Sequence, residues 1–303
     1  MEFLTSRVGH GISNVHRLGS GEWSTAYGFE NLGAAYVVRF GNFIEDFEKD
    51  RQASRYAAAD LPIPSVLDIG TTTNDGYYAI SERMPGRTLD SIDEAEMTAT
   101  LPSLLGTFDA IANSDISTTH GFGSWNAAGS GSRPSWRQAL LDVGRDEPGD
   151  RTSGWRQRLG ETSAGIEIFD EGFRQLQQLV GACPEERRLV HSDLLNHNVL
   201  VDNARVSAVL DWGSSKYGDS LYDAAWLSFW WPWYSQWNNI DIDAALLKHF
   251  ARTENADQRL QCYRLHVGLE GMAYEAFAGH WDELTWTTRR TFALLEEHGE
   301  ATR

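Results

Sequence analysis

The chain has 303 residues, of which 41% are hydrophobic and 23% are charged, and this composition excludes a disordered or collagen-like protein. Its 43 acidic and 26 basic residues give a formal net charge of −17 at pH 7, which argues against nucleic acid as a partner because phosphate backbones are bound through clustered Lys and Arg. The same charge suits a cationic ligand, although it serves solubility equally well.

The first ninety residues are predicted to form mainly strands. Short β-prone runs separated by Gly and Asn predict strands at residues 15–18, 25–29, 35–40, 66–69 and 77–81, with a turn at 74–76. A helix-prone stretch at 43–59 is ended by the prolines of 61–64, which lack an N–H group. We therefore expect an N-terminal lobe over residues 1–84 and a hinge at 85–88.

From residue 89 onward the pattern is mainly helical. Pro102 as a first helical residue predicts a helix over 102–112, and apolar spacings of three and four predict an amphipathic helix over 166–180. The Gly- and Ser-rich stretch 117–135 is predicted to be a surface loop. Residues 188–211 are typical of a loop and a hairpin, and further helices are predicted near 220–230, 241–252, 257–278 and 282–297. We expect an α+β protein whose larger helical lobe spans 89–303.

Several classes of protein are excluded by single features. Residues 1–11 lack a basic start followed by an apolar stretch, so no signal peptide is predicted. The longest uncharged window, 224–240, falls short of the ~20 apolar residues of a membrane helix. The two cysteines, Cys183 and Cys262, form no CxxC pair, so a disulfide framework or structural zinc site is not expected. None of the three lysines follows a glycine, which excludes a P-loop. We expect a soluble cytoplasmic protein with no membrane partner.

The residues that carry chemistry lie in the run His191-Ser-Asp193-Leu-Leu-Asn-His-Asn198 and in the Asp211-Trp-Gly triplet after the predicted hairpin. Because the two hairpin strands are nearly equal in length, we expect Asp211 to return beside Asn198. Three oxygen-bearing side chains then converge, two suited to a hard metal such as Mg²⁺ and one a free carboxylate that can orient an attacking hydroxyl. This set predicts phosphoryl transfer. The alternative is a tight hairpin whose Asp and Asn residues only cap turns.

At these residues the sequence resembles the aminoglycoside phosphotransferases of the protein-kinase-like superfamily. The HxDxxxxN run and the DWG triplet carry the resemblance to the superfamily, and LPIPSVLDIG at 61–70 and GLEGMAYEAF at 268–277 are similar to its hygromycin-type branch. Other matching segments are YVVRF at 36–40, GFG at 121–123, LVHSDLLNHNVLVDN at 189–203 and GDSLYDAAW at 218–226. The resemblance implies a bilobal kinase-like fold with a small antiparallel sheet in a nucleotide-binding N-terminal lobe, and a helical lobe that carries the catalytic loop and the substrate site.

The resemblance also implies a role for each residue of the motif. Asp193 matches the catalytic aspartate that takes up the substrate hydroxyl, and Asn198 and Asp211 match the two ligands of Mg²⁺. His191 matches the histidine that braces the metal-ligand loop.

In the N-terminal lobe, the resemblance implies a nucleotide site for ATP or GTP. Gly19, Ser20, Gly21 and Ser24 match the loop that covers the phosphates, although an ordinary hairpin turn is the alternative for such a short motif. Glu82 and Met84 match the linker that binds adenine through backbone groups.

Arg39 stands where the superfamily usually has a phosphate-binding lysine. The hygromycin-type branch also has an arginine at this position. A forked guanidinium can still bridge phosphates and a carboxylate. The carboxylate partner is expected from the following helix, where Asp50 aligns best and Glu48 is the rival. A solvated surface charge is the alternative for Asp50.

The residues that would contact an acceptor are less well defined. The rings of Trp230, Trp231 and Trp233 can stack on a sugar or an aminocyclitol, or can simply belong to the core. Acidic residues that can contact substrate ammonium groups, or lie on solvated surface, are Asp241, Asp243, Glu270 and Glu275. Asp219 and Asp223 are expected to cap and brace the helix near the active site.

These features predict a monomeric kinase that phosphorylates a cationic aminoglycoside of the hygromycin B kind and so inactivates the antibiotic. One alternative keeps the chemistry but changes the acceptor to choline, homoserine or a sugar. A second alternative is a non-catalytic nucleotide-binding module, against which the presence of Asp193, Asn198 and Asp211 argues.

Overall fold

The structure, a computed structural model, describes residues 2–73 and 75–301, so that residue 74 of the predicted turn lies outside the described residues. The α-helices within this part of the chain are α1 Glu2–Val8, α2 Ile44–Ala53, α3 Glu94–Ala112, α4 Trp136–Leu141, α5 Trp155–Gly160, α6 Gly165–Leu179, α7 Leu221–Trp230, α8 Ile242–His249, α9 Ala256–Ala278 and α10 Trp281–Ala301. The strands are β1 Ile12–Ser20, β2 Ser24–Asn31, β3 Ala34–Gly41, β4 Val66–Thr71, β5 Tyr77–Glu82, β6 Arg87–Thr88, β7 Phe122–Trp125, β8 Gly131–Arg133, β9 Arg188–Val190, β10 Val199–Asp202, β11 Arg205–Val209 and β12 Lys216–Gly218.

The chain divides into two compact units. The first contains Met1–Thr118, Asn126–Gly129 and Leu194–Ser215, and the second contains Thr119–Trp125, Ser130–Asp193 and Lys216–Arg303. In this division the expected hinge at 85–88 lies inside the first unit. The lobe boundaries that we expect from the sequence stay a prediction.

A five-stranded antiparallel sheet, in the order β1-β2-β3-β5-β4, forms the N-terminal part of the first unit. Val38 of β3 lies opposite Ile80 of β5, and both side chains are buried with Phe29, Tyr78 and Leu4 in one apolar cluster. Leu4 belongs to α1, a helix that the sequence analysis did not predict. The five strands predicted for this region are confirmed.

The hairpin predicted within residues 188–211 is also confirmed, as β10 and β11. Its sheet gains a third strand, β6, which pairs Thr88 with Leu200 and Arg87 with Val201. Residues 87–88 of the expected hinge are therefore bonded into a sheet. The amide of Val209 also donates to the carbonyl of Pro62 at 2.8 Å, which ties the hairpin to the proline segment.

Helix α3 begins eight residues earlier than predicted, so the assignment of Pro102 as its first residue is wrong. Asp93 and Glu96 form a capping box at its start, with the amide of Glu96 2.9 Å from Asp93 Oδ1. Pro102 instead lies inside the helix, where it removes one backbone hydrogen bond. The capping box decides where the helix begins.

The second unit contains a four-stranded antiparallel sheet, in the order β8-β7-β12-β9, and helices α4 to α10. The prediction of a loop over 117–135 is wrong for the residues of β7 and β8. Trp125 of β7 is buried and stacks on Tyr217 of β12, with ring centroids 5.5 Å apart, and this contact with a distant part of the chain holds the strand.

Helix α9 is buried on most of its circumference and forms the centre of the second unit. The amphipathic helix α6 and the four C-terminal helices are confirmed close to their predicted bounds. The predicted α+β class is confirmed as well, with an antiparallel sheet in the N-terminal region and mainly helices in the C-terminal region. Among the described residues, no helix has both the length and the apolar character needed to cross a membrane.

Candidate functional site

Asp50 joins two parts of the candidate nucleotide site in the first unit. One of its carboxylate oxygens pairs with the Arg39 guanidinium, and the other accepts a hydrogen bond of 2.8 Å from the backbone N–H of Trp212. The acid partner of Arg39 is therefore Asp50 rather than Glu48. Because Trp212 directly follows Asp211, the same carboxylate holds the strand arginine and the DWG segment.

Arg39 lies in an apolar and acidic surrounding. Its guanidinium carbon is 5.1 Å from the centre of the Phe47 ring. Burial lowers the pKa of Arg39 from its usual range, while the negative charges of Asp211 and Asp46 act in the opposite direction. An arginine stays charged despite such a shift, so the site holds a fixed cation beside Asp211.

Lys49 is a residue of this site that the sequence analysis missed. It is 3% exposed, and its ammonium group donates to the carbonyl oxygens of Gly213 at 2.6 Å and Ser215 at 3.1 Å. The helical pattern of α2 gave no signal for it, because its partners are more than 160 residues away in the chain. Lys49 and Asp50 together attach the segment after Asp211 to α2.

The hairpin brings its two ends together, as the sequence analysis expects. The amide of Leu210 donates to the carbonyl of Asn198 at 2.8 Å, and Val199 lies opposite Val209. Asp211 therefore follows directly on the residue that is bonded to Asn198.

Asp211 itself has a φ angle of 58°, in the left-handed region, and its Oδ1 accepts from the amide of Gly213 at 3.3 Å. A Cβ on Gly213 would lie 3.2 Å from that oxygen and 3.4 Å from Oδ1 of Asp46, so glycine leaves room for two carboxylates. Asp46, in the first turn of α2, is a second residue that the sequence analysis missed.

The donor set at the hairpin end fits Mg²⁺. Asn198 and Asp211 offer an amide and a carboxylate oxygen, and Mg²⁺ prefers oxygen ligands and keeps several waters. Across residues 2–73 and 75–301, no group of three or more His, Cys, Asp and Glu side chains is arranged to hold a metal ion. An ion held by one amide and one carboxylate oxygen would need further oxygen ligands, which water and phosphate can supply.

The glycine loop connects β1 and β2. The amide of Gly21 donates to the carbonyl of Ser24 at 2.9 Å, and the hydroxyls of Ser20 and Thr25 are 2.8 Å apart. A Cβ built on Gly19 or Gly21 would meet no heavy atom of the described residues within 4 Å. Packing within the chain therefore does not require glycine at these positions, whereas close approach of a phosphate would.

A cavity of about 570 Å³ is lined by residues of this loop, among them Ser20, Gly21 and Ser24. Arg39 and Asp211 lie outside its wall, so the cavity by itself does not mark the phosphate site. At the expected adenine linker, the amide of Glu82 donates to the carbonyl of Ser65 at 3.1 Å. Met84 follows two residues later and is half-buried.

The segment leading to Asp193 is held by Asp223 in the second unit. The two oxygens of the Asp223 carboxylate accept from the amides of His191 at 3.0 Å and Ser192 at 2.6 Å. Burial raises the pKa of Asp223 to about 6. Asp223 therefore braces the loop before Asp193, and it lies within the first turn of α7 rather than at its cap.

Asp219 is fully buried and acts as a second brace. Its carboxylate accepts from Nε and Nη2 of Arg259 at 2.7 and 2.6 Å, and from the hydroxyl of Tyr263 at 2.6 Å. The amide of Leu221, the first residue of α7, also donates to Asp219 at 3.1 Å. Asp219 thus attaches the start of α7 to α9.

The three tryptophans predicted to contact the acceptor differ in their surroundings. Trp231 is 4% exposed and packs on Trp237, so it is part of the core and presents no ring face to a ligand in this structure. Trp230 is half-buried and stacks on Trp286, with centroids 5.4 Å apart. Trp233 is 42% exposed and meets the same ring edge-on at 5.2 Å. Trp286 of α10 was missed because it lies 53 residues beyond Trp233 in the sequence.

The acidic candidates are not free surface charges. Asp241 caps α8, and Asp243 accepts from Ser228 and Arg264. Glu270 pairs with Lys216 and accepts from Tyr222. Glu275 is buried and accepts from the hydroxyl of Thr287 at 2.9 Å. For all site residues, the contribution to ligand binding or catalysis stays a prediction.

Comparison with known proteins identifies relatives that match over most of this chain. A model of the phosphotransferase enzyme family matches residues 14–276. A hygromycin-B 4-O-kinase from Escherichia coli is 34% identical over 289 residues, which cover 94% of this chain and 81% of that protein.

Solved structures of aminoglycoside phosphotransferases are also similar to this chain. The crystal structure of a thermostable mutant of aminoglycoside phosphotransferase APH(4)-Ia, in a ternary complex with AMP-PNP and hygromycin B, is 33% identical, covers 97% of both chains and has a TM-score of 0.87. A spectinomycin phosphotransferase, APH(9)-Ia, shares only 13% identity over 97% of this chain and 96% of its own, with a TM-score of 0.64, and is similar in fold alone.

Proposed function

The chain belongs to the phosphotransferase enzyme family, and we propose that it transfers the γ-phosphate of ATP or GTP to a hydroxyl of an aminoglycoside, namely hygromycin B or a related compound. The observation that carries the proposal is the Asp50 carboxylate, which binds both Arg39 and the backbone of Trp212. This contact places a fixed cation for phosphates beside the carboxylate that follows the hairpin. Transfer would add roughly −1.5 to −2 charges to a cationic drug and so inactivate it.

The choice of acceptor rests on two relatives. The Escherichia coli protein is named a hygromycin-B 4-O-kinase, and the similar APH(4)-Ia structure contains hygromycin B together with AMP-PNP. The net charge of −17 suits a polycationic acceptor. We therefore propose phosphorylation at the 4-hydroxyl of hygromycin B.

In this mechanism Asp193 orients the acceptor hydroxyl and accepts its proton as the phosphate is transferred. Arg39 contacts the donor phosphates, and the amides of the glycine loop at 19–24 cover them. Asn198 and Asp211 would hold Mg²⁺, which neutralises charge on the phosphates when it is bound. A monomeric state and a cytoplasmic location remain predictions from the sequence.

The test is phosphate transfer from radiolabelled ATP and GTP by the purified chain. Hygromycin B should be labelled, and mass spectrometry with NMR of the product should place the phosphate on its 4-hydroxyl. Spectinomycin, choline and homoserine serve as comparison acceptors. Labelling of choline or homoserine without hygromycin B would favour the metabolic kinase. Nucleotide binding without any transfer would favour the non-catalytic module.

A further inference from the structure

Lys216, one of three lysines in the chain, has a contact close to the catalytic aspartate. It is the first residue of β12 and lies opposite Val190 of β9. Its ammonium group donates to the hydroxyl of Ser192 at 2.8 Å, and Ser192 directly precedes Asp193. Lys216 therefore contacts the loop one residue before the proposed proton acceptor.

The backbone conformation of Ser192 is unfavourable in free energy, so neighbouring contacts must hold it. Its φ angle is 60°, in the left-handed region that non-glycine residues rarely adopt. Such a conformation persists only where surrounding contacts over-determine it. Asp223 binds the amide of Ser192 at 2.6 Å, and Lys216 binds its side chain, so the residue is held through two separate atoms.

The lysine is itself fixed by its neighbours. Its ammonium group is 3.1 Å from Oε1 of Glu270 and 5.2 Å from the centre of the Tyr222 ring, and the side chain is 13% exposed. The hydroxyl of Tyr222 donates to Glu270 at 3.0 Å and lies 2.8 Å from Nδ1 of His266. These groups leave the ammonium little freedom to move away from Ser192.

We propose that Lys216 is a positioning residue, which acts through the Ser192 hydroxyl to keep Asp193 in its productive orientation. The proposal rests on the proposed function, because it assigns the effect to transfer by Asp193. A displacement of about 1 Å at a reacting group can lower the rate by about 10²-fold. We therefore expect the loss to appear in kcat, while the KM for nucleotide stays close to the wild-type value.

The first test measures backbone order and needs no activity. Amide hydrogen exchange is followed for peptides spanning residues 191–193 in the wild type, in Lys216→Met and in a control, Lys248→Met, which alters an exposed lysine of α8. Exchange should be faster in Lys216→Met only. Equal exchange in all three proteins would overturn the proposal, whether or not phosphate transfer is detected.

The second test separates positioning from stability. Lys216→Met, Ser192→Ala and their double variant should each lower kcat by about 10- to 100-fold, with no further loss in the double variant. Ser192→Gly relieves the backbone strain but lacks the hydroxyl, so it should keep the melting temperature and still lose kcat. Lys216→Arg retains a charged donor and should recover part of the rate.

Two results of these kcat measurements would contradict the proposed role of Lys216. Additive losses in the double variant would mean that the two side chains act separately. A wild-type kcat in Ser192→Gly would show that only the backbone conformation matters. A wild-type protein that transfers no phosphate to any acceptor would instead contradict the proposed function, and the exchange measurement would still decide the role of Lys216.

Discussion

At the scale of single residues, the segment that carries the candidate site adopts backbone conformations that non-glycine residues rarely take. Ser192, Asn196 and Asp211 have φ angles of 60°, 55° and 58°. Such conformations cost free energy and persist where neighbouring contacts hold them. Asp223 binds the amide of Ser192, and Asp50 binds the amide that follows Asp211. These buried carboxylates therefore help to maintain the path of the chain through the site.

Replacing the proposed proton acceptor tests the chemistry directly. Asp193→Asn keeps the size of the side chain but removes its basicity, so kcat should fall by at least ~10²-fold. Nucleotide affinity, measured by calorimetry on the same preparation, should stay unchanged because the proposed mechanism assigns phosphate binding to other residues. Turnover at the wild-type rate would exclude Asp193 as the base.

Arg39 and Asp50 should behave as one unit toward nucleotide. Arg39→Ala removes the cation and should raise the KM for nucleotide and lower kcat, whereas Arg39→Lys keeps the charge, loses the fork and should be intermediate. Asp50→Asn, which keeps an oxygen for the amide of Trp212 but removes the negative charge, should add little to the loss in Arg39→Ala, because the charges of the two residues share one ion pair. Steady-state kinetics of the two single variants and the double variant measure this coupling. Additive losses would mean that the ion pair has no part in nucleotide binding.

At the scale of elements, the β10–β11 hairpin is expected to determine the response to Mg²⁺. Asp211→Ala and Asn198→Ala each remove one of the oxygen atoms that we propose as ligands of Mg²⁺, so both variants should need more Mg²⁺ for half-maximal activity. The variant Asp46→Asn is compared with these two, because the Asp46 carboxylate also lies beside Gly213. It shows whether this carboxylate affects the Mg²⁺ requirement as well. If Asp211→Ala needed the same Mg²⁺ concentration as the wild type for half-maximal activity, the proposal that Asp211 and Asn198 hold the ion together would be wrong.

Helix α3 offers a test of stability that is independent of catalysis. Asp93→Ala removes the side-chain oxygen that accepts from the amide of Glu96, while the bond from the backbone N–H of residue 93 to the Glu96 side chain can remain, and it should lower the free energy of unfolding by about 1 kcal/mol. Asp93→Asn is the matched control, because asparagine caps helices about as well. Urea unfolding followed by circular dichroism measures both. Equal losses in the two variants would mean that the cap does not stabilise the helix.

At the scale of the whole molecule, stability should depend on pH through a buried carboxyl group of α9. Burial raises the pKa of Glu275 to about 8, so the folded state binds its proton more tightly than the unfolded chain does. The stability that this proton contributes is complete below about pH 4.5 and is lost as the pH rises through about 8. The protein should therefore become less stable across this range.

The variant Glu275→Gln isolates this effect, because glutamine is neutral at every pH. Its melting temperature should approach or exceed that of the wild type as the pH rises from 6.5 to 8.5. The raised pKa of Asp223, about 6, and the lowered pKa of His266, about 4, lie below this window. Melting temperatures that change in parallel for the two proteins would show that Glu275 does not titrate between pH 6.5 and 8.5, which contradicts the prediction.

The amino-acid sequence by itself determined the features that depend on neighbours in the chain. The strands of the N-terminal sheet, the C-terminal helices and the β10–β11 hairpin follow from local periodicity and turn residues. The motif around Asp193, Asn198 and Asp211 was likewise visible from its spacing. The candidate pair of Arg39 with Asp50 followed from the resemblance to the kinase-like superfamily, which left Glu48 as the rival partner.

Tertiary structure alone decided the features that depend on distant residues. Lys49 binds carbonyl groups more than 160 residues away, β7 is held by pairing with β12, and Trp231 is buried against Trp237. Lys216 contacts Ser192 from 24 residues further along the chain. A contact between two distant residues produces no periodic pattern in the sequence around either of them. Burial and long-range hydrogen bonds therefore cannot be derived from local sequence pattern.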